Sequence, residues 1–348
     1  VLHDSSSEAV IYRAMQRIAA GVAEPIEIDG KELVVTCSAG ISLCPQDGPD
    51  VDTLLKNADA AMYRAKERGR NNFQFYTAEM NERVNERLAL EHALRRAIER
   101  REFVLHYQQR VDLRTGAMVG AEALVRWMHP EWGLVRPARF IPLAEETGLI
   151  VPIGEFVLRE ACRQARAWLD EGLDPGLVSV NLSARQFGYE GLVRQVSRVL
   201  EETQLDARHL EMELTESTVM HNVEVAIATL QGLKSLGISL SVDDFGTGYS
   251  SLAYLRNLPI DKLKIDRSFV RDIGAGTGAN EGVLAQAIIS LGHNLHLQVV
   301  AEGVETDAQV RFLRKHQCDE GQGFFYGEPV EPARHAALLS RAATRKRA

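Results

Sequence analysis

ISLSVDD at 238–244 and DKLKID at 261–266 are short runs rich in Leu and β-branched residues. The first ends in Asp243 and Asp244, and the second carries Lys264. Runs of this kind, each followed by a helix-like stretch, read as strands of a βα repeat. Five more extend the pattern outward: VGAEALVRW (119–127) around Glu122, VSVNLS (178–183) with Asn181, HLEMELTE (209–216) around Glu213, LQVVAE (297–302) ending at Glu302, and EGQGFF (320–325) around Gln322. From Asn181 to Gln322 the spacings are 32, 30, 20, 38 and 20 residues, entering the aspartate pair at Asp243 and leaving it at Asp244. One strand plus one crossover helix needs about that much chain in a parallel barrel. The expected fold is therefore α/β, a TIM-like (β/α)8 barrel with these polar residues converging on its mouth. Carboxylates gathered in a buried place with few cations are costly, and a bound metal ion is the physical remedy.

The chain has 348 residues, enough for about two domains, with 45% apolar and 25% charged residues, an ordinary balance for a globular protein. A net charge of −8 argues against a polymeric nucleic acid as partner, since such binding rests on many Lys and Arg neutralising phosphates. A compact anion stays admissible if metal ions supply local positive charge. Cys37, Cys44, Cys162 and Cys318 show no CxxC and no paired zinc spacing, so they are expected to be reduced thiols packed as small core residues in a cytoplasmic protein. No signal peptide or membrane-length apolar run is legible. The opening VLHD reads as a strand end, which suggests a fragment whose longer parent carries an upstream sensory domain and, through it, a possible membrane anchor.

Residues 1–78 read as a partial α/β domain. It comprises a helix (EAVIYRAMQRIAAGVA), strands PIEIDG and ELVVTCSAGISLC around an Asp-Gly turn, a second helix (VDTLLKNADAAMYRAKERG) and the strand NNFQFY. Residues 79–101 have apolar positions at helical spacing and read as a connecting helix. The barrel occupies 102–340, and 341–348 is a basic tail.

EALVRW (122–127), RFIPLAEETGLI (139–150), NLSARQF (181–187), ELTES (213–217), VDDFGTGYSSLAYLRNLPID (242–261), LKIDRSFV (263–270), VVAEGVET (299–306) and EGQGFFYG (320–327) together resemble the EAL domain, a cyclic di-GMP phosphodiesterase, over nearly all of 102–340. TCSAGISLCPQDG (36–48) and NADAAMYRAKERGRNNFQFY (57–76) resemble the second half of a GGDEF diguanylate cyclase domain. The chain contains no Gly-Gly dipeptide, so the resemblance implies no cyclase activity here. For the barrel it implies metal-dependent hydrolysis of cyclic di-GMP to linear pGpG, or, in members that lack ligands, binding without turnover.

Phosphodiester hydrolysis needs a nucleophilic hydroxide, neutralised phosphoryl oxygens and a stabilised leaving group, which two ions about 3.5–4 Å apart supply together. One aspartate of the Asp243–Asp244 pair would bridge both ions and the other would reach only the second. Glu122, Asn181 and Glu213 would complete the first ion, and Glu302 would ligate the second. An all-oxygen set points to Mg²⁺ or Mn²⁺, with Ca²⁺ expected to bind yet inhibit. The resemblance implies the same ligands, with Glu122, Glu302 and Lys264 as catalytic residues. Lys264 would act beside the attacking water, as its base or as a fixed charge. Arg126 would hold a phosphate, with Leu124, Gln108 at a guanine edge, and Gln322 orienting water or a metal-bound oxygen around the substrate. Glu216 would pin the loop after Asp244, and residues 245–258, through Leu252, Tyr254 and Leu255, would form a homodimer interface. Two positions depart from the family pattern: Gln109 stands where Pro usually follows Tyr-Gln, and Glu328 where a basic residue usually precedes Pro329.

Taken singly these residues have plainer readings. The aspartate pair could be a turn, Lys264 a surface lysine, Asn181 the cap of a helix starting near Ala184, and Glu216 a first-turn glutamate. GAGTG (274–278) lacks the context of a phosphate loop and reads as a surface connection. His293 and His296 read as packing or helix-end residues without an acidic partner in register.

Overall fold

The computed structural model describes residues 8–220, 223–248, 252–274 and 281–347. The chain forms two compact units, Val1–Ala93 and Leu94–Ala348. In the first, strands β1 (Ile26–Ile28) and β2 (Lys31–Leu33) make an antiparallel hairpin. Its turn residues Asp29 and Gly30 both have positive φ, as an Asp-Gly hairpin turn requires. ELVVTCSAGISLC does not form the single strand its composition suggests, because its two ends serve different sheets. Its start is β2, while β3 (Ala39–Ile41) pairs in parallel with β4 (Phe73–Phe75). The helix Val51–Glu67 links these two strands and is capped by Asp50, which accepts from Thr53 N at 2.8 Å. Gly40 permits close packing there, since a Cβ would stand 1.9 Å from Ala58 O. The helix expected over 79–101 spans Ala78–Arg100, and the break between the units falls within it.

The second unit contributes β5 (Phe103–Asp112), β6 (Met118–His129), β7 (Gly133–Val135), β8 (Leu177–Leu182), β9 (Leu210–Thr215), β10 (Ser239–Phe245), β11 (Lys262–Ile265), β12 (Gln298–Ala301) and β13 (Glu320–Gln322). All except β7 close an eight-stranded barrel, with β13 returning to β5. The seven runs legible in the sequence are β6 and β8–β13, and every pairing among neighbours in that series is parallel. The eighth strand differs. β5 runs antiparallel to both β6 and β13, and it leads into β6 through a tight turn rather than a crossover helix. β7 is a short hairpin extension of β6.

Strands buried on both faces in parallel sheets usually read as continuous apolar runs. Here they alternate: Leu210, Met212 and Leu214 are buried, and so are Glu211 and Glu213 between them. With a side-chain period of two, the apolar set faces the surrounding helices and the polar set faces the barrel interior. The longest of the described outer helices, Ile150–Asp170, buries Ile150, Ile153, Val157, Leu158, Ala161, Cys162, Ala165 and Trp168, an i, i+3/i+4 stripe. Trp168 meets Tyr107 edge-on at 4.8 Å between centroids and lies 5.0 Å from the His335 ring.

At the opposite end of the barrel from the mouth, aspartates before two strands tie down their neighbours. Asp261 accepts from Leu240 N and Asp319 from Val299 N, each at 2.8 Å. His293 does have an acidic partner, Asp319 Oδ2 at 3.0 Å, brought to it by the fold. Of the cysteines only Cys162 and Cys318 are buried; Cys37 is half-buried and Cys44 exposed. The basic segment continues the helix Pro332–Arg347 rather than forming a separate tail. GAGTG lies largely outside the described residues. Among the described residues no helix is long and apolar enough to cross a membrane. Trp168→Ala is expected to destabilise the barrel unit by about 3–5 kcal/mol, read from urea unfolding followed by circular dichroism.

Candidate active site

Neighbouring residues on a regular strand point to opposite faces, so Asp243 and Asp244 could not both reach the mouth without a local irregularity. β10 supplies one. Val242 pairs with Leu263 and Phe245 with Ile265, so Asp243 and Asp244 together oppose Lys264 alone, a β-bulge. Asp244 takes φ 54°, in the left-handed region. Its backbone N–H donates to Asp243 Oδ1 at 2.8 Å, and its carbonyl accepts from Thr247 Oγ1 at 2.8 Å. The result brings oxygens of Asp243, Asp244 and Glu302 within 4.8 Å of one another, a group able to hold a metal ion.

Lys264 is fully buried, and its Nζ lies 2.5 Å from Glu213 Oε2, 2.5 Å from Glu302 Oε1 and 3.3 Å from Asp243 Oδ2. Burial opposes its charge, but Asp243, Glu213, Glu302 and Glu122 outweigh burial and hold the ammonium well above the usual lysine range. Glu122 is buried beside them, with Oε1 accepting from Asn181 Nδ2 at 2.6 Å and Oε2 from Gln322 Nε2 at 2.5 Å. The helix Ala184–Phe187 is capped by Ser183 in a capping box with Gln186, so Asn181 is not a cap; it is exposed at the mouth.

Negative charge exceeds positive charge here. Burial pushes Glu213 well above its ordinary range; Lys264 pulls the other way, while Glu122, Asp243 and Glu211 add to the rise. Glu302 is raised to about 8 by burial, with Asp243 and Glu122 adding, against the pull of Lys264. Asp244 is raised to about 6 by burial, Asp243 and Asp266. Among the described residues Glu213 Oε1 has no hydrogen-bond partner, although Arg110 Nη1 lies 3.8 Å away. An excess of closely spaced oxygen donors is the setting a hard divalent cation fits.

Glu216 opens the helix Glu216–Met220, and its Oε2 accepts from Gly246 N at 2.8 Å, directly beyond the bulge. Gln108 is buried and joined at both ends of its amide: Oε1 accepts from Gln322 Nε2 at 3.1 Å and Nε2 donates to Gly327 O at 2.9 Å. Gln109 donates to Tyr326 O, and Glu328 is exposed. Arg126 is half-buried and donates to Val125 O at 2.9 Å. Leu124 and Asn181 border a largely apolar cavity of about 790 Å³, lined also by Ile141, Ile153, Leu182 and Phe187. Leu255 is buried and Tyr254 is half exposed; residues 249–251 and the side chain of Leu252 lie outside the described residues.

Below this layer lies a second buried charged layer that the sequence reading passed over. Arg110 Nη1 reaches Glu211 Oε1 at 2.5 Å and Ser179 Oγ at 3.1 Å, and its Nε lies 2.7 Å from Glu320 Oε2. Lys262 Nζ stands 2.8 Å from Glu320 and 3.4 Å from Glu211. Burial opposes the charge on Glu211, yet Arg110 and Lys262 outweigh it and hold the carboxylate at about 2, opposite to Glu213 two residues on. The alternations Ser-Val-Asn, Glu-Met-Glu, Ser-Val-Asp, Lys-Leu-Lys and Glu-Gly-Gln are the signal that marks this layer.

A model of the EAL domain matches residues 91–329, and one of the diguanylate cyclase GGDEF domain matches 1–72. MucR of Pseudomonas aeruginosa, named a bifunctional diguanylate cyclase/cyclic di-GMP phosphodiesterase, is 47% identical over 315 residues, covering 90% of this chain and 46% of that protein. PdeR of Escherichia coli, named a cyclic di-GMP phosphodiesterase, is 41% identical over 330 residues, covering 95% and 49%. The chain spans about half the length of these curated relatives. Among solved structures, the PaMucR phosphodiesterase in complex with c-di-GMP is 48% identical with a TM-score of 0.68, covering 71% of this chain and 99% of that one. The EAL domain of Mycobacterium smegmatis DcpA is 36% identical with a TM-score of 0.59, covering 69% and 98%.

Asp244 and Glu302 have folded values above the ordinary carboxylate range, so they favour the folded state at low pH, and that contribution is lost as pH rises through about 6 and then about 8. In EDTA the urea midpoint is expected to fall over this interval, and Mn²⁺ to flatten the profile. A metal-free midpoint that climbs throughout would contradict this electrostatic picture.

Proposed function

The chain belongs to the EAL domain family, and on that premise we propose that its barrel hydrolyses cyclic di-GMP to linear pGpG with two Mg²⁺ or Mn²⁺ ions at the mouth. The charge of the mouth carries this reading. Glu122, Glu213, Asp243, Asp244 and Glu302 against the single ammonium of Lys264 leave four formal negative charges, which two divalent cations neutralise. Bound there, such ions would acidify a water and screen the phosphoryl oxygens of a diester. Glu122, Asn181, Glu213 and Asp243 are the residues suited to one ion, and Asp243, Asp244 and Glu302 to the other.

Three carboxylates around Nζ keep Lys264 an ammonium, which favours a fixed positive charge beside the attacked phosphate over a base. Arg126 presents its planar fork to a phosphate. Leu124 and the adjoining apolar cavity offer a face for a guanine ring. Gln108, already bonded at both ends, holds Gln322 and the Gly327 turn beside the substrate. Glu216 supports the bulge through Gly246, and Tyr254 beyond the loop is the exposed side chain offered to a twofold partner. In this reading the barrel works in the cytoplasm.

Nucleotide chromatography of cyclic di-GMP incubated with the protein and Mn²⁺ is the direct test. Turnover is expected to vanish in EDTA and to fall by at least about 10²-fold in Glu122→Ala, Asp243→Ala or Lys264→Ala, each of which removes a positioned charge. A Glu122→Ala protein of near wild-type rate would count decisively against the mechanism, and tight binding with no turnover in wild type would mark a receptor instead.

Calcium separates metal binding from hydrolysis. Its bonds of about 2.3–2.6 Å and six to eight ligands suit these oxygens but not the tight octahedron of Mg²⁺. Displacing reacting groups by about 1 Å can cost about 10² in rate. Ca²⁺ is therefore expected to compete with Mg²⁺ in the assay while cyclic di-GMP binding persists. Undiminished turnover with Ca²⁺ as the sole divalent ion would show that the site tolerates loose metal geometry.

A further inference from the structure

Two layers of inward-facing side chains stack inside the barrel, joined strand by strand through residues two apart. Asn181, Glu213, Asp243, Lys264 and Gln322 stand two positions beyond Ser179, Glu211, Ser241, Lys262 and Glu320, and on antiparallel β5 Gln108 stands two positions from Arg110. The lower layer is electrically closed, with Arg110 and Lys262 set against Glu211 and Glu320, all buried. Ser179 Oγ also donates to Glu211 at 2.8 Å, and Ser239 Oγ to Glu211 at 3.2 Å, so the layer draws on β5, β8, β9, β10, β11 and β13. β6 contributes Gly120, where a Cβ would stand 2.3 Å from Leu177 O and 3.3 Å from Arg110 Nη2, so the missing side chain leaves room for the guanidinium.

Apolar residues of similar volume fill such space as well as buried ion pairs do, and often more stably, so stability alone does not explain this layer. A guanidinium whose Nη1 hydrogen-bonds Ser179 and Glu211 while its Nε stands 2.7 Å from Glu320 does tie β5 to three other strands. We infer that Arg110 is a positioning residue: by joining β5 to Ser179, Glu211 and Glu320 it fixes the placement of Asn181, Glu213 and Gln322 one layer above. This inference rests on the proposed reaction for its kinetic and metal-binding consequences, while the placement itself can be read without metal or substrate.

Arg110→Lys keeps the charge and loses the fork that spans Glu211 and Glu320. Outer partners of metal ligands typically affect affinity or activity by about 10–100-fold; here Mn²⁺ affinity by calorimetry and kcat are each expected to fall about tenfold, with KM within about twofold. In metal-free protein, the side-chain amide NMR resonances of Asn181 and Gln322, both bonded to Glu122, are expected to shift. Ser179→Ala, a small change that leaves every charge in place, is expected to shift the same resonances less, in the same direction. A folded Arg110→Lys protein with wild-type resonances and Mn²⁺ affinity, altered only in melting temperature, overturns the inference. Should Arg110→Lys not fold, Ser179→Ala decides, and unmoved resonances there overturn it. If wild-type protein neither binds Mn²⁺ nor hydrolyses cyclic di-GMP, the functional reading fails, while the amide resonances still judge Arg110.

Discussion

An ammonium enclosed by three carboxylates, Lys264 among Glu213, Asp243 and Glu302, sets the terms for the rest of the barrel. Charges taken out of water must be matched at close range or their cost falls on the fold. Below Lys264 the match is complete, cation for anion. At its own level carboxylates outnumber it. The barrel thus places a charge-balanced layer under one with an excess of carboxylates, and the unbalanced layer is the one that opens to solvent.

This arrangement accounts for what could be read from the residues alone. The seven parallel strands were legible because each apolar run carries a polar residue near one end, and the intervals leave room for crossover helices. β5 was not, because FVLHYQQRVD is followed by a turn and a strand where the repeat calls for a helix. Its antiparallel course is a tertiary fact that spacing does not record. The polar mouth residues stood out as exceptions at strand ends. Arg110, Glu211, Lys262 and Glu320 did not, since a charged residue inside a strand ordinarily reads as solvent-facing. Only the joint alternation of several strands reveals that the polar face points inward.

The aspartate pair shows where sequence and geometry part. Two adjacent carboxylates suggest a shared site, yet an unbroken strand would have turned one of them away. The bulge on β10 and the left-handed backbone of Asp244 reconcile the pair with the pleat. Glu216 then ties down Gly246 where the strand leaves the sheet. His293 teaches the converse: its partner Asp319 lies 26 residues away and becomes visible only once the strands are assembled.

The reversed direction of β5 also governs the order in which the barrel can assemble. Its pairing with β6 is local, a hairpin that one tight turn brings together. Its other edge meets β13, where Gln108 contacts Gln322 across 214 positions of chain. Closing a loop of that length costs about 2 kcal/mol more in chain entropy than closing the hairpin, and contacts so distant in sequence slow folding. β5 therefore pairs with β6 at a small cost in chain entropy and with β13 at a larger one, so the seam that encloses the interior charges is the costlier of its two edges to close.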